Sequence, residues 1–185
     1  MTIIRSRWWS DDALHCPRSP ARGRRPQGRR RKRGICDEAL GRSRGGFTTK
    51  IHIRAEGLGK PVTFSLTGGQ VHDTQQFATL MGTGWIRRLG RGRPRLKPDR
   101  PAGDKAYSSA KIREALRRRG IGAVIPTKEN ERRQPDFDRQ AYRERNRIER
   151  LINRLKQFRR IATRYEKRAA NYLAMITIAA ILLWL

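Results

Sequence analysis

The chain has 185 residues, and its 44 lysine and arginine residues outnumber 16 acidic residues, which gives a formal net charge of +28. A compact chain with that charge repels itself unless polyanions or counterions offset it, so nucleic acid is the first partner to expect. Cysteine occurs only at Cys16 and Cys36, with no CxxC pair, which argues against a zinc site or a disulfide framework and fits a reducing compartment.

Residues 1–36 are rich in arginine, proline, glycine and alanine and show almost no apolar periodicity. Such a segment has too little apolar surface to offset the entropy of ordering, so we predict that it is disordered or poorly structured. Charged residues from Arg5 to Asp12 interrupt the N-terminus, which therefore lacks the pattern of a secretory signal. Residues 37–185 are predicted to form the folded domain.

The first part of this domain has the pattern of a β-hairpin. Apolar and polar residues alternate from Phe47 to Arg54, which predicts a half-buried strand. The segment PVTFSLT alternates again after the turn GLGK, so the two segments are expected to pair. A loop and a helix follow, with Asp73 or Thr74 as the expected N-cap.

Four further elements are predicted in the second half of the chain. A short strand is expected to end near Asp104, and Ser108 or Ser109 to begin a helix that Gly120 ends. The apolar segment IGAVIP predicts another short strand. A long basic helix is expected over about 138–162.

A final helix is predicted over about 167–184. Its apolar run YLAMITIAAILLWL has 14 residues, which is too short to span a bilayer and favours a buried core helix. With these elements the order is β-β-α-β-α-β-α-α, which predicts a mixed α/β domain.

The basic helix has two different faces. At about 100° per residue, Tyr142, Arg145, Glu149 and Lys156 fall within about 60° of one another. A separate apolar stripe lies roughly 120° away. Its members are Ile148, Leu151, Ile152, Leu155 and Phe158. Periodicity leaves two interpretations open for Glu149, because an exposed glutamate paired with Arg145 fits the pattern as well as a functional carboxylate does.

The spacing Tyr142-x2-Arg145-x3-Glu149-x6-Lys156 resembles the Y-x2-R-x3-E-x6-K signature of bacterial insertion-sequence DDE transposases of the insertion sequence four and five groups. Other blocks agree in the same order, namely ALGRSRGGFTTKIH, LTGGQVHDT, DKAYSS, RRRGIGAVIP and the C-terminal NRLKQFRRIATRYEKRAANYLAMITIAAILLWL. The resemblance covers about residues 38 to 185. It implies an α/β, RNase H-like fold with a mixed sheet flanked by helices.

The resemblance also implies a chemistry. Transposases of this kind cleave and join DNA strands by in-line attack on a phosphodiester, with two Mg²⁺ (or Mn²⁺) ions held by carboxylates. Asp104 and Glu149 match the second and third catalytic carboxylates of the family and would be metal ligands. From the residues alone, Asp104 fits a turn or cap equally well.

Further roles come from the same family motif. Arg145 and Lys156 would face DNA phosphates, and Tyr142 would position the backbone. His72 and Asp73 match a family block, although capping a helix would explain them too. The implied partner is double-stranded DNA, both element ends and target, in the bacterial cytoplasm. The resemblance leaves a homodimer open and implies neither a membrane nor a small-molecule substrate.

One feature departs from the family. Its first catalytic aspartate lies on a central opening strand upstream of GRSRGGF, and no alternating apolar strand is evident there. Asp11 and Asp12 lie far enough upstream of GRSRGGF to be candidates for this aspartate. However, prolines follow them closely, which does not fit a strand. We therefore expect the first strand to be lacking or altered. Residues 1–36 are either read in a different frame from the ancestral gene or form a genuine basic arm.

The sequence is compatible with three functions. The first is DNA transposition, impaired if the first aspartate is lost. The second is a catalytically dead remnant that binds DNA without sequence preference and is sensitive to salt. The third, a ribosomal or other RNA-binding protein, fits the charge but does not explain Asp104 and Glu149.

Overall fold

The computed structural model describes the backbone of residues 2–10 and, in full, residues 38–43, 46–87, 90–131 and 134–185. Six strands form a mixed sheet. They are β1 (Thr2–Ser10), β2 (Gly41–Ser43), β3 (Gly46–Ala55), β4 (Pro61–Gly68), β5 (Ala102–Gly103) and β6 (Thr163–Arg164). Strand β3 pairs antiparallel with β1, β2 and β4, whereas β5 and β6 run parallel to β1.

Among the described residues, six α-helices accompany the sheet. They are α1 (Phe77–Gly82), α2 (Ala110–Arg118), α3 (Arg139–Arg143), α4 (Asn146–Lys156), α5 (Arg159–Ala162) and α6 (Ala169–Trp184). Short 3₁₀ helices at Asp73–Gln76 and Lys105–Tyr107 precede α1 and α2. The predicted mixed α/β class is confirmed, and the arrangement is consistent with a DDE-type domain. In the part of the chain that the structure describes, no helix is long and apolar enough to cross a membrane.

The sheet separates two apolar cores. On one face, Ile51, Ile53 and Ala55 of β3 pack with the apolar stripe of α4 and with Tyr172 and Ile176 of α6. The other core is formed by α1, α2 and the residues around them. Its members are Phe77, Leu80, Met81, Tyr107, Ile112, Leu116, Ile121 and Ile125. Burial of apolar area on both faces is the main term that stabilises the sheet.

The expectation of a half-buried β3 is wrong, because every residue from Thr48 to Ala55 is buried. The polar side chains have partners inside the protein. His52 contacts the Tyr107 hydroxyl with Nδ1 (2.9 Å) and the Thr67 hydroxyl with Nε2 (2.8 Å). Arg54 donates hydrogen bonds to three main-chain carbonyls, those of Leu80, Thr83 and Leu96. Its burial lowers the pKa of the Arg54 guanidinium from its usual value.

The β3–β4 hairpin, the strand end at Asp104 and helix α2 are confirmed. The Ser109 side chain accepts a hydrogen bond from the Ile112 amide and so caps α2, and Gly120 (φ +61°) follows the helix. The expected cap of the preceding helical segment is wrong. The His72 side chain accepts from the Thr74 amide and caps it, while Asp73 is buried one residue further on.

The long basic helix predicted over 138–162 is three helices instead. At the joint between α3 and α4, the amides of Arg145, Arg147 and Ile148 each bond to the carbonyl three residues earlier. These tighter turns interrupt the α-helical pattern without reversing the chain. Phe158 then adopts an extended backbone (ψ 105°), which separates α4 from α5.

Three other expectations need correction. The segment IGAVIP contributes only an isolated parallel bridge, between Val124 and Ala102. Strand β6 was not predicted. Helix α6 was expected to be buried, but one of its faces is open to solvent, with Ile178 54% and Ile181 55% exposed.

The expected loss of the first strand is not confirmed. Residues Thr2–Ser10, inside the segment predicted to be poorly structured, form β1 between β3 and β5. The rest of that segment, residues 11–37, lies outside the described residues. The division of the chain at residue 36 therefore stays a prediction.

Arg164 of β6 is fully buried and connects the C-terminal half to the start of the domain. Its guanidinium donates to the Thr49 hydroxyl (2.6 Å) and to the carbonyls of Glu38 (2.8 Å) and Lys167 (2.9 Å). These contacts replace the water that the charge would otherwise keep.

We expect Arg164→Met to lower the free energy of unfolding by about 3 kcal/mol, because several buried acceptors lose their donor at once. Urea denaturation measures the change. Arg154→Met, at an exposed arginine of α4, is the control and should stay within about 0.5 kcal/mol of the parent. Equal losses in both variants would contradict a structural role for the buried guanidinium.

Candidate functional site

Asp104 stands where β5 ends, beside β1. It follows β5, whose two residues pair with β1 on one side and, through Ala102, with Val124 on the other. The carbonyl of Asp104 accepts a hydrogen bond from the Tyr107 amide (2.9 Å), whereas its side chain does not cap the 3₁₀ turn that begins there. The carboxylate is partly exposed. Asp104 therefore begins a turn, as one of the interpretations from the sequence has it, but its carboxylate makes no capping hydrogen bond.

The joint between α3 and α4 holds Tyr142 and Arg145 together. The Arg145 guanidinium lies 5.2 Å from the centre of the Tyr142 ring, and the Phe137 ring packs 5.4 Å from the same ring. Arg145 Nη2 also donates to Glu149 Oε1 over 2.6 Å. A cation against an aromatic face and a charge-assisted hydrogen bond together fix the direction of this guanidinium.

Helix α3, which carries Tyr142, contacts β5, the strand that ends at Asp104. Burial raises the pKa of the Tyr142 hydroxyl above its usual value, and the negative charges of Asp104 and Glu149 raise it further. Arg145 acts in the opposite direction. Two carboxylates that are far apart in sequence therefore act on one phenol. Asp104, Tyr142, Arg145 and Glu149 form what we call the Tyr142 cluster.

Lys156 is the fourth residue of the sequence motif, and the structure places it outside the Tyr142 cluster. It is exposed in the last turn of α4, seven residues beyond Glu149 and hence about 10 Å further along the helix axis. It lies on the same side of α4 as Glu149. A ligand as long as a DNA strand could contact both.

Asp73 does not join the Tyr142 cluster. Its carboxylate is buried, 3.3 Å from Lys50 Nζ, where it balances a cation of β3. His72 is exposed and serves as the cap described above. Asp11 and Asp12, the alternative candidates for a first carboxylate, lie outside the described residues.

The strand beside Asp104 carries no acid. Thr2 pairs with Ala102 and Ile3 with Gly103, the residue before Asp104. The sequence of β1 is TIIRSRWWS. Among the described residues, no group of three or more histidine, cysteine, aspartate or glutamate side chains could hold a metal ion. Asp104 and Glu149 offer the hard oxygen ligands that Mg²⁺ prefers, but they are two carboxylates and not three.

The sequence was compared with known proteins. Residues 20–184 match the model of the family described as "Transposase DDE domain", and the chain belongs to this family. A putative transposase for insertion sequence element IS6501 from Brucella ovis is 29% identical over 145 residues, which cover 75% of this chain and 99% of that protein. A putative transposase for insertion sequence element IS402 from Burkholderia cepacia is 32% identical over 135 residues, 73% of this chain and 62% of that protein.

The resemblance stated from the motifs is thereby confirmed. Membership of this family supports a role in transposition in general, with DNA as the partner. It also implies dependence on a divalent metal ion in general.

Sequence reasoning missed the buried polar residues of β3 and β6. Lys50, His52, Arg54 and Arg164 sit in patterns that are typical of solvent-facing positions. The available signal was the predicted mixed α/β class, in which helices commonly cover both faces of the sheet.

We expect Glu149→Gln to lower the pKa of the Tyr142 hydroxyl, because one nearby negative charge disappears and Arg145 is freed to act more strongly on the phenol. An NMR titration of isotope-labelled tyrosine, assigned with Tyr142→Phe, measures this pKa. Glu144→Gln is the matched control, since Glu144 pairs with Arg147 instead. An unchanged titration in Glu149→Gln would show that the Tyr142 cluster does not exist in solution.

Proposed function

We propose that this chain acts in transposition by metal-dependent cleavage and joining of DNA strands, on an RNase H-like fold. The observation that carries the proposal is the Tyr142 cluster. It combines two carboxylates and one cation at the end of the sheet, next to a helix rich in arginine. Phosphodiester chemistry needs groups that hold metal ions beside groups that hold phosphate, and this cluster supplies both kinds.

Asp104 and Glu149 are the residues that would hold Mg²⁺ or Mn²⁺. When bound, such an ion neutralises charge on the attacking and leaving oxygens of the phosphodiester. Glu149 is about half exposed and paired with Arg145, so it is accessible from solvent. The two carboxylates come from the end of a strand and from a helix, which are rigid elements that limit their movement.

Arg145 and Tyr142 would orient the DNA strand. The guanidinium is held by Glu149 and by the Tyr142 ring, so it can approach a phosphate oxygen with little loss of side-chain entropy. Like an ordinary phenol, the Tyr142 hydroxyl is protonated at neutral pH, so it can donate a hydrogen bond to the same strand. Lys156 would contact the backbone further along α4.

A second candidate is a catalytically dead protein that binds DNA through its charge. The observation that favours it is the absence of an acid in β1, the strand beside Asp104. Such a protein would bind duplexes with little sequence preference and lose affinity steeply as salt increases.

Nicking of supercoiled plasmid DNA in Mg²⁺ or Mn²⁺ separates the two candidates. We expect Asp104→Asn and Glu149→Gln to nick at least about 100-fold more slowly than the parent, because a lost metal ligand removes several kcal/mol of transition-state stabilisation. Both variants should still bind the duplex. Glu144→Gln, an exposed glutamate in the same segment, should nick at the parental rate.

Two results would count against the enzyme. A parent protein that binds DNA but nicks it with neither metal would favour the second candidate. Nicking that persists in both carboxylate variants would contradict the roles given to Asp104 and Glu149.

A further inference from the structure

A second charged site lies beyond the Tyr142 cluster. It is a cleft of about 540 Å³ in which β2, the loop after β4 and the 3₁₀ turn Lys105–Tyr107 come together. Its lining residues are Arg42, Ser43, Lys50, Gly69–Asp73, Ala106 and Lys128. We call it the cationic cleft.

The cleft carries a net positive charge. Three cations (Arg42, Lys50 and Lys128) and one carboxylate (Asp73) line it. Lys50 and Asp73 form a buried ion pair, so their charges neutralise each other. Within the described part of the chain, neither Arg42 nor Lys128 forms an ion pair. Lys128 lies near Glu131, but that carboxylate accepts from the Ser108 hydroxyl and the Lys128 amide. Two cationic side chains thus remain to attract an anion.

The wall of the cleft is held in place by the buried part of β3. Lys50 Nζ donates to the Val71 carbonyl (2.5 Å) as well as to Asp73. The Gly69 amide bonds to the Thr48 carbonyl (2.9 Å), and a side chain at Gly69 would collide with the Thr48 hydroxyl. The loop Gly69–Asp73 is therefore fastened to the strand at both of its ends. A preformed wall loses little entropy when a ligand binds.

We propose that the cationic cleft binds two backbone phosphates, one at Arg42 and one at Lys128, of the same DNA strand that enters the Tyr142 cluster. Arg42 and Lys128 would each contact the phosphate backbone. The Lys50–Asp73 pair would hold the loop Gly69–Asp73 in place. This inference rests on the proposed function for its ligand, but it concerns binding and not cleavage.

The cleft lies close to the Tyr142 cluster. Its ligand is therefore expected to belong to the DNA strand bound there and not to be a separate molecule. Ala106 lines the cleft and follows Asp104 by two residues, so their Cα atoms lie at most about 7 Å apart. Successive base pairs of a duplex rise about 3.4 Å. A strand with one phosphate at Asp104 thus places another within a few nucleotides of Arg42 and Lys128.

The test is the salt dependence of duplex binding, measured by fluorescence anisotropy without divalent metal. Log affinity falls with log salt, and for each phosphate contact that is lost the magnitude of this negative slope decreases by about 0.9. We expect Arg42→Ala/Lys128→Ala to decrease this magnitude by about 2. The control is Arg117→Ala/Arg119→Ala, which removes the same charge from exposed positions at the far end of α2 and should leave the slope nearly unchanged.

Ethylation interference identifies the contact. Of the phosphates whose ethylation weakens binding of the parent, one or two should lose that effect in the Arg42→Ala/Lys128→Ala protein, while the others keep it. Circular dichroism and urea denaturation of both double variants check that the fold is kept. A parent protein that does not bind duplex DNA, equal slopes in parent and cleft variant, or an equal decrease in the control would each overturn the inference.

The outcome does not depend on catalysis. If the parent fails to nick DNA but the cleft variant loses about two units of slope, the cleft is a phosphate site on a protein that is not an enzyme. If nicking occurs and the slopes are equal, the proposed function stands and the cleft inference fails.

Discussion

Burial of β3 on both faces requires a partner for every charged side chain that the strand carries. A buried charge without a partner costs several kcal/mol, which is a large part of the stability of a domain of this size. Lys50 meets this requirement with Asp73 and the Val71 carbonyl, and Arg54 meets it with carbonyls around α1. The loops that supply these partners are thereby fixed to the centre of the sheet.

The same constraint extends to the proposed active site. His52 of β3 contacts the hydroxyl of Tyr107, and Tyr107 belongs to the 3₁₀ turn that begins directly after Asp104. On the other side, Ile125 packs so closely on Gly103 that a Cβ there would lie 3.1 Å from its side chain. Asp104 is thus held between two buried contacts, while its carboxylate stays partly exposed. The interior of the domain thus sets the position of a residue that we propose as a metal ligand at its surface.

Local patterns in the sequence predicted the elements that local forces determine. The hairpin, the Ser109 cap and the strand end at Asp104 follow from alternation, capping and turn chemistry within a few residues. The burial of β3, the bridge at Val124 and strand β6 depend on pairing between distant segments, which periodicity does not report. The break between α3 and α4 was missed because the sequence there, RERN, contains no residue that stops a helix.

The candidate site was predictable only in part. Periodicity put Tyr142, Arg145 and Glu149 on one face but could not decide between a solvated glutamate and a ligand. The family motif favours a ligand, which stays a prediction, and the negative charges of Asp104 and Glu149 both raise the pKa of the Tyr142 hydroxyl. The cationic cleft could not be foreseen, since Arg42, Lys50 and Lys128 are brought together by tertiary structure alone.

The central claim is that Asp104 and Glu149 serve one metal-dependent site on DNA. The most direct measurement is a crystal structure of the protein with duplex DNA and Mn²⁺, in which anomalous scattering locates the metal. The account predicts manganese in contact with the carboxylates of both Asp104 and Glu149, with DNA phosphate beside Arg145. A DNA complex in which no manganese contacts either carboxylate would contradict it.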